Sequence, residues 1–110
     1  MSTGRVAVLE KPRGKFVIKE YPLPEPASRS LIVKIELAGI CATDAYMWDG
    51  KMPGVLFPLV LGHENVGTIE KLGENVKSDA LGSPVKEGDR VVIAPEITCG
   101  ECFYCRIIKE

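Results

Sequence analysis

The sequence predicts a mainly β, barrel-like domain with only short helical turns, and three observations carry that expectation. Residues 30–37 alternate apolar and polar side chains with a period of two. Several other short apolar runs are bounded by glycine or proline, and no stretch sustains the 3.6-residue apolar period of a long amphipathic helix. At 110 residues the chain fits one domain, 1–110, which can bury a modest core without staples.

Residues 6–9 and 16–18 are apolar runs separated by Lys11-Pro12-Arg13-Gly14, which reads as two strands joined by a turn. Tyr21-Pro22-Leu23-Pro24-Glu25-Pro26 lacks amide donors at alternate positions and is expected to be a stiff extended connector. Leu31, Val33, Ile35 and Leu37, set against Lys34 and Glu36, give the clearest strand. After Gly39-Ile40-Cys41, Thr43 or Asp44 is expected to cap a short helical turn through Ala45, Tyr46 and Met47 to Trp48, stopped by Asp49-Gly50. Residues 51–58 mix two prolines and a glycine with apolar side chains and predict a packed loop. Residues 65–72 read as a strand ended by Gly73, and 90–94 as another. Between them, Lys77-Ser78-Asp79-Ala80-Leu81-Gly82-Ser83-Pro84 is polar and turn-rich, the mark of a surface excursion.

Hydrophobic content of 45%, charged content of 26% and a mean hydropathy of +0.08 describe a globular chain rather than a disordered or membrane one. No apolar run approaches the roughly 20 residues of a membrane span. Fourteen basic and fifteen acidic side chains are interspersed, so no basic field invites nucleic acid. The start, Met-Ser-Thr-Gly-Arg-Val-Ala-Val-Leu-Glu, lacks the apolar core of a secretory signal. The four cysteines are therefore expected in a reducing, cytoplasmic compartment, where thiolate chemistry outranks disulfides.

His63 is the only histidine and lies in Leu61-Gly62-His63-Glu64-Asn65-Val66-Gly67, 22 positions after Cys41. A lone histidine is more often a hydrogen-bonded structural residue than a ligand. Paired with a thiolate it becomes a candidate for Zn²⁺, which takes imidazole and sulfur and, in sites with few protein ligands, keeps a position open. Farther on, Cys99-Gly100-Glu101-Cys102-Phe103-Tyr104-Cys105 sets three thiols at three-residue intervals. A disulfide plus a free thiol, or three buried cysteines, are the alternatives; the regular spacing favours metal. Closed zinc sites use four ligands, and Cys41 is the only other thiol. Gly73 and Gly88 suit turns rather than phosphate binding, because no Gly-x-Gly pair occurs. Asp89 and Arg90 read as a turn leading into a strand.

Four pieces in sequence order carry a resemblance: Gly39-Ile40-Cys41-Ala42-Thr43-Asp44; Pro58-Leu59-Val60-Leu61-Gly62-His63-Glu64 with Gly67; Gly88-Asp89-Arg90-Val91; and the three-cysteine knuckle. Together they resemble the N-terminal GroES-like catalytic domain of zinc-dependent medium-chain alcohol dehydrogenases, over nearly the whole chain. The resemblance implies a partly open β-barrel with short helices and reversible oxidation of an alcohol or polyol to an aldehyde or ketone. It implies Cys41 and His63 as ligands of a catalytic zinc, with Glu64 an alternate ligand or a group behind the metal and the third regular ligand beyond this chain. Asp44 would orient His63 through its far nitrogen, Thr43 would pass the substrate's proton, and Trp48 would line the substrate pocket or fill the core. Cys99, Cys102 and Cys105 would belong to a structural zinc lobe completed by a fourth cysteine beyond Glu110.

Many relatives carry a histidine that finishes the proton relay where this chain has Tyr46, which becomes the catalytic candidate at that step: a phenol can still pass a proton, although it is a poor base at neutral pH. Residues 76–88 look longer than the usual loop and are expected to hold an insertion, 77–87, without catalytic meaning. The resemblance further implies that NAD or NADP is bound by a Rossmann domain absent here. This chain is then a fragment, truncated inside the structural-zinc lobe and inactive alone, of an enzyme that assembles as a homodimer or homotetramer. The rival from another class is a non-catalytic GroES-like or zinc-stabilised β interaction module, which would need the knuckle but not Cys41 and His63.

Overall fold

A computed structural model describes residues 2–107. Six strands and two short helices follow in the order β1 (Thr3–Leu9), β2 (Phe16–Pro22), β3 (Leu31–Ala38), α1 (Ala42–Trp48), β4 (Leu59–Val60), β5 (Asn65–Leu72), β6 (Arg90–Ile93) and α2 (Phe103–Ile107). The strands pair antiparallel into two three-stranded sheets, β2-β1-β4 and β3-β5-β6. The expected mainly β architecture is present, and among the described residues no pairing closes it into a full barrel.

The N-terminal hairpin forms where its turn residues predict, but β2 continues to Pro22, which faces Thr3. The stiff connector therefore begins later than expected. β2 is an edge strand, where a proline's missing N–H can face outward at no cost to the ladder. Leu59 and Val60 pair with Leu9 and Val8 as a strand that the sequence did not predict, since two residues carry no readable alternation.

β3 forms, but register shifts at Ile32/Val33 and Ile35/Leu37 interrupt its alternation. A bulge adds a residue to one strand and re-aims the side chains that follow. The four apolar residues thus do not make one buried face: Val33 is half-buried, whereas Ile35 and Leu37 are exposed. Glu36, at the second shift, accepts hydrogen bonds from Thr68 Oγ1 at 2.5 Å and Arg90 Nε at 2.9 Å, which ties β3 to β5 and β6. Gly67 lies opposite Ile35, and a Cβ there would stand 2.3 Å from the Lys34 carbonyl oxygen. Only glycine admits that approach of the two strands.

Val8, Leu9 and Ile69 are the buried apolar side chains among the described residues, with Leu9 and Ile69 fully buried. The molecule is a plate of 41 × 41 × 21 Å, and its radius of gyration of 15.8 Å exceeds the roughly 13 Å of a compact chain this long. Ile40 and Val92 remain 87% and 77% exposed on it.

The hairpin turn braces the C-terminal end of α1. The Arg13 amide donates to the Trp48 carbonyl at 2.8 Å, and Trp48 Nε1 donates to the Gly14 carbonyl at 3.1 Å. The Arg13 guanidinium pairs with Asp49, the C-cap of α1, and Lys51 Nζ lies 2.5 Å from the same carboxylate. Arg13 first, and then Lys51, hold the Asp49 carboxyl down at about 2. Residues 77–84 are exposed, and the Asp79 carboxylate accepts the amides of Leu81 and Ser83, both at 2.9 Å, which closes the excursion as a compact turn.

Candidate metal centre

Cys41 leaves β3 by a three-residue step and is itself the N-cap of α1, in extended backbone. The cap is thus neither Thr43 nor Asp44. Asp44 sits at the third helical position and reaches back, its Oδ2 accepting the Cys41 amide at 3.0 Å. This acidic half of a capping box anchors the backbone that carries the thiol. His63 lies in the loop between β4 and β5, directly after Gly62, whose φ of +116° belongs to a region that side chains rarely adopt. Pairing of Ala38 with Asn65, and the Gly39 amide on the Glu64 carbonyl at 2.7 Å, bring the two loops together.

The result is a cluster of three. Cys41 Sγ lies 3.1 Å from His63 Nε2, and Asp44 Oδ1 lies 3.4 Å from His63 Nδ1, on the opposite edge of the ring. Asp44 is 5% exposed, and its Oδ1 has no well-aligned hydrogen bond. The donor set fits a thiophilic divalent cation. With bonds of roughly 2.3 Å to sulfur and 2.0–2.1 Å to nitrogen, a tetrahedral ion needs those atoms about 3.5 Å apart, a few tenths of an ångström wider than they stand. All three ligand-capable atoms lie within 4.8 Å of one another. Asp44 faces the far nitrogen and so lies behind the histidine, a position from which a carboxylate can fix the tautomer and orient the ring.

Thr43 and His63 line an open cleft of about 700 Å³, with Glu64, Asn65, Val92 and Pro95 among its other walls. Val92 and Pro95 escaped sequence reasoning, since an ordinary strand end gives no chemical signal. The Glu64 carboxylate rests against Gly39 rather than joining the three-residue cluster. Tyr46 is on the exposed side of α1 and is not a wall of this cleft. Trp48 lines a separate apolar depression of about 370 Å³ with Phe16, Ile40 and Leu61, on the Asp44 side of the cluster.

The knuckle forms a second cluster. Cys102 Sγ stands 3.4 Å and Cys99 Sγ 3.8 Å from Cys105 Sγ, and the Cys102 amide donates to Cys99 Sγ at 3.4 Å. The amides of Glu101 and Cys102, followed by the neighbouring thiols, lower the Cys99 thiol to about 7. α2 begins at Phe103 and carries Cys105 back toward the other two. All four cysteines are free thiols, with Cys99 and Cys102 at the surface. Three converging sulfurs fit a zinc site short of one ligand.

Fold and site together define a β domain in which Cys41, Asp44 and His63 could hold a metal ion beside an open cleft, with a separate cluster of three cysteines that could hold another. The alcohol dehydrogenase GroES-like domain family matches residues 27–110, and the chain belongs to that family. The 5-exo-hydroxycamphor dehydrogenase of Pseudomonas putida is 37% identical over the whole chain, which covers 30% of that protein. The solved alcohol dehydrogenase of Thermotoga maritima superposes with a TM-score of 0.86 at 36% identity, over 97% of this chain and 29% of its own. An Escherichia coli alcohol dehydrogenase solved in complex with NADH gives 0.76 at 33% identity, over 97% and 29%. The chain thus spans under a third of the length of these relatives. Among the described residues, no helix is long and apolar enough to cross a membrane.

Proposed function

We propose that this chain is the zinc- and substrate-binding domain of an NAD(P)-dependent alcohol dehydrogenase acting on a small alcohol or polyol, and that a separate nucleotide-binding domain completes the enzyme. The observation that carries this reading is the convergence of Cys41 Sγ and His63 Nε2 at 3.1 Å, beside a cleft that Thr43 shares. Cys41 and His63 would hold the zinc, which when bound supplies Lewis-acid polarisation of the substrate oxygen.

The chain's own residues do the rest. Asp44 keeps His63 Nδ1 protonated, so that Nε2 presents its lone pair. Thr43 offers a hydroxyl on the cleft wall that can accept the alcohol's proton and hand its own outward. Tyr46 does not line that cleft, so Thr43 is the relay group that the cleft itself presents. Val92 and Pro95 supply apolar surface for the carbon skeleton. The knuckle would hold a structural zinc with one further ligand. Ile40, 87% exposed, suits a domain that packs against more protein, and four free thiols suit the reducing cytoplasm.

The test uses cobalt(II) in place of zinc. The chain with metal, alcohol and NAD or NADP is expected to show no turnover, while the visible spectrum of cobalt at the Cys41/His63 centre shifts as a primary or secondary alcohol is added. A spectrum indifferent to every alcohol tried would overturn the substrate role. Zinc-dependent turnover by the chain alone would overturn the need for a second domain.

A further inference from the structure

Gly39 has no place in the chemistry above, yet it touches both loops that bear it. It lies two residues before Cys41, and its amide donates to the carbonyl of Glu64, the residue after His63. The Glu64 side chain folds back over it. A Cβ built on Gly39 would stand 2.6 Å from Glu64 Oε2, 3.1 Å from its Cβ and 3.6 Å from its Cδ. The space a side chain would fill is thus the space the carboxylate occupies. Among the described residues that carboxylate makes no hydrogen bond or ion pair, and its packing over Gly39 is the contact that places it.

We propose that Gly39 is a positioning residue: its missing side chain is a seat that parks the Glu64 carboxylate away from the Cys41/His63 centre and keeps that centre open to substrate. This rests on Cys41 and His63 being metal ligands. A methyl at position 39 fills the seat. The carboxylate, at the free end of a flexible side chain, moves before the backbone does, and Glu64 already walls the cleft it shares with His63 and Thr43. Swung there, it becomes a resident anionic ligand that strengthens metal binding and competes with any oxygen ligand from solution. A small residue at 39 therefore decides whether Glu64 is a reserve or a permanent ligand.

The test compares Gly39→Ala, Glu64→Gln and the double variant with the parent, each loaded with cobalt(II), reading metal affinity and the binding of imidazole, a small external ligand. Gly39→Ala is expected to raise cobalt affinity at this centre and to weaken imidazole binding, each by about tenfold, the scale on which outer groups tune metal sites. Glu64→Gln alone should leave both close to the parent, because a parked carboxylate contributes little. The double variant should regain imidazole binding, since the amide occupies the same volume but ligates poorly.

Unchanged imidazole binding in a folded Gly39→Ala chain would overturn the proposal, as would failure of Glu64→Gln to restore it. Should Gly39→Ala not fold, the single Glu64→Gln variant decides: a large loss of metal affinity would show that the carboxylate is not parked. If the parent takes up no cobalt at Cys41 and His63, the functional reading itself fails, a result distinguishable from all of these.

Discussion

Replacing Asp44 with asparagine probes the least exposed carboxylate among the described residues with almost no change of shape. The carboxylate has two contacts, the Cys41 amide at 3.0 Å on Oδ2 and His63 Nδ1 at 3.4 Å on Oδ1. An amide can serve one of them only. If its oxygen keeps the Cys41 cap, its NH₂ faces Nδ1, and the imidazole responds by moving its proton to Nε2, the nitrogen a metal needs. If its oxygen turns to His63, the NH₂ opposes the Cys41 amide and the cap is lost, at about 0.5–2 kcal/mol. Either arrangement should lower zinc affinity at the Cys41/His63 centre by about 10–100-fold, or roughly 1.4–2.8 kcal/mol. Competition with a chromophoric chelator measures this, with the knuckle as internal control, since among the described residues no hydrogen bond or ion pair links it to Asp44. Affinity within about twofold of the parent, in a chain of unchanged circular dichroism, would refute the assignment of Asp44 as the group that orients His63.

Gly67→Ala places a Cβ 2.3 Å from the Lys34 carbonyl oxygen, so the β3–β5 ladder must open there; the loss is about 3 kcal/mol, or about 13 °C in Tm. Gly82→Ala is the control: its φ of +86° brings strain of about 1–2 kcal/mol, but its Cβ would meet nothing within 4 Å, and equal losses at the two sites would contradict the account. Trp48→Phe deletes the hydrogen bond to the Gly14 carbonyl and should cost about 1 kcal/mol in urea unfolding without changing zinc stoichiometry. Asp49 has its carboxyl held at about 2, below its ordinary 3.8, so the stability it supplies is complete above the higher value and disappears as pH falls through the lower. Unfolding midpoints of parent and Asp49→Asn should therefore differ at neutral pH and converge toward pH 2; a gap that persists there would count against the Arg13–Asp49 brace.

What the sequence showed and hid follows from the range of the forces involved. The hairpin, β5 and the short α1 were legible because turn residues and apolar periodicity act locally. The bulges in β3, the two-residue β4 and the extension of β2 through Pro22 depend on which strand lies alongside, and no local pattern reports that. The site was legible in its chemistry, since sulfur and imidazole announce themselves: Cys41, Asp44 and His63 converge, as do the three knuckle thiols. Its shape was less so. Asp44 looked like a possible cap for its own helix and instead caps Cys41 from within it. Trp48 falls in a depression apart from the cleft, and Glu64 lies against Gly39, because side-chain placement there depends on neighbours distant in sequence.

The central claim, that the chain carries two independent metal centres, is tested most directly by zinc stoichiometry in the parent, in Cys41→Ser and His63→Ala, and in a knuckle variant with Cys99 and Cys102 changed to serine. The account predicts two equivalents in the parent. It predicts loss of one in Cys41→Ser or His63→Ala with the knuckle still loaded, and loss of the other in the knuckle variant. A single equivalent in the parent that survives both Cys41→Ser and His63→Ala would contradict the catalytic centre and leave only a zinc-stabilised β module.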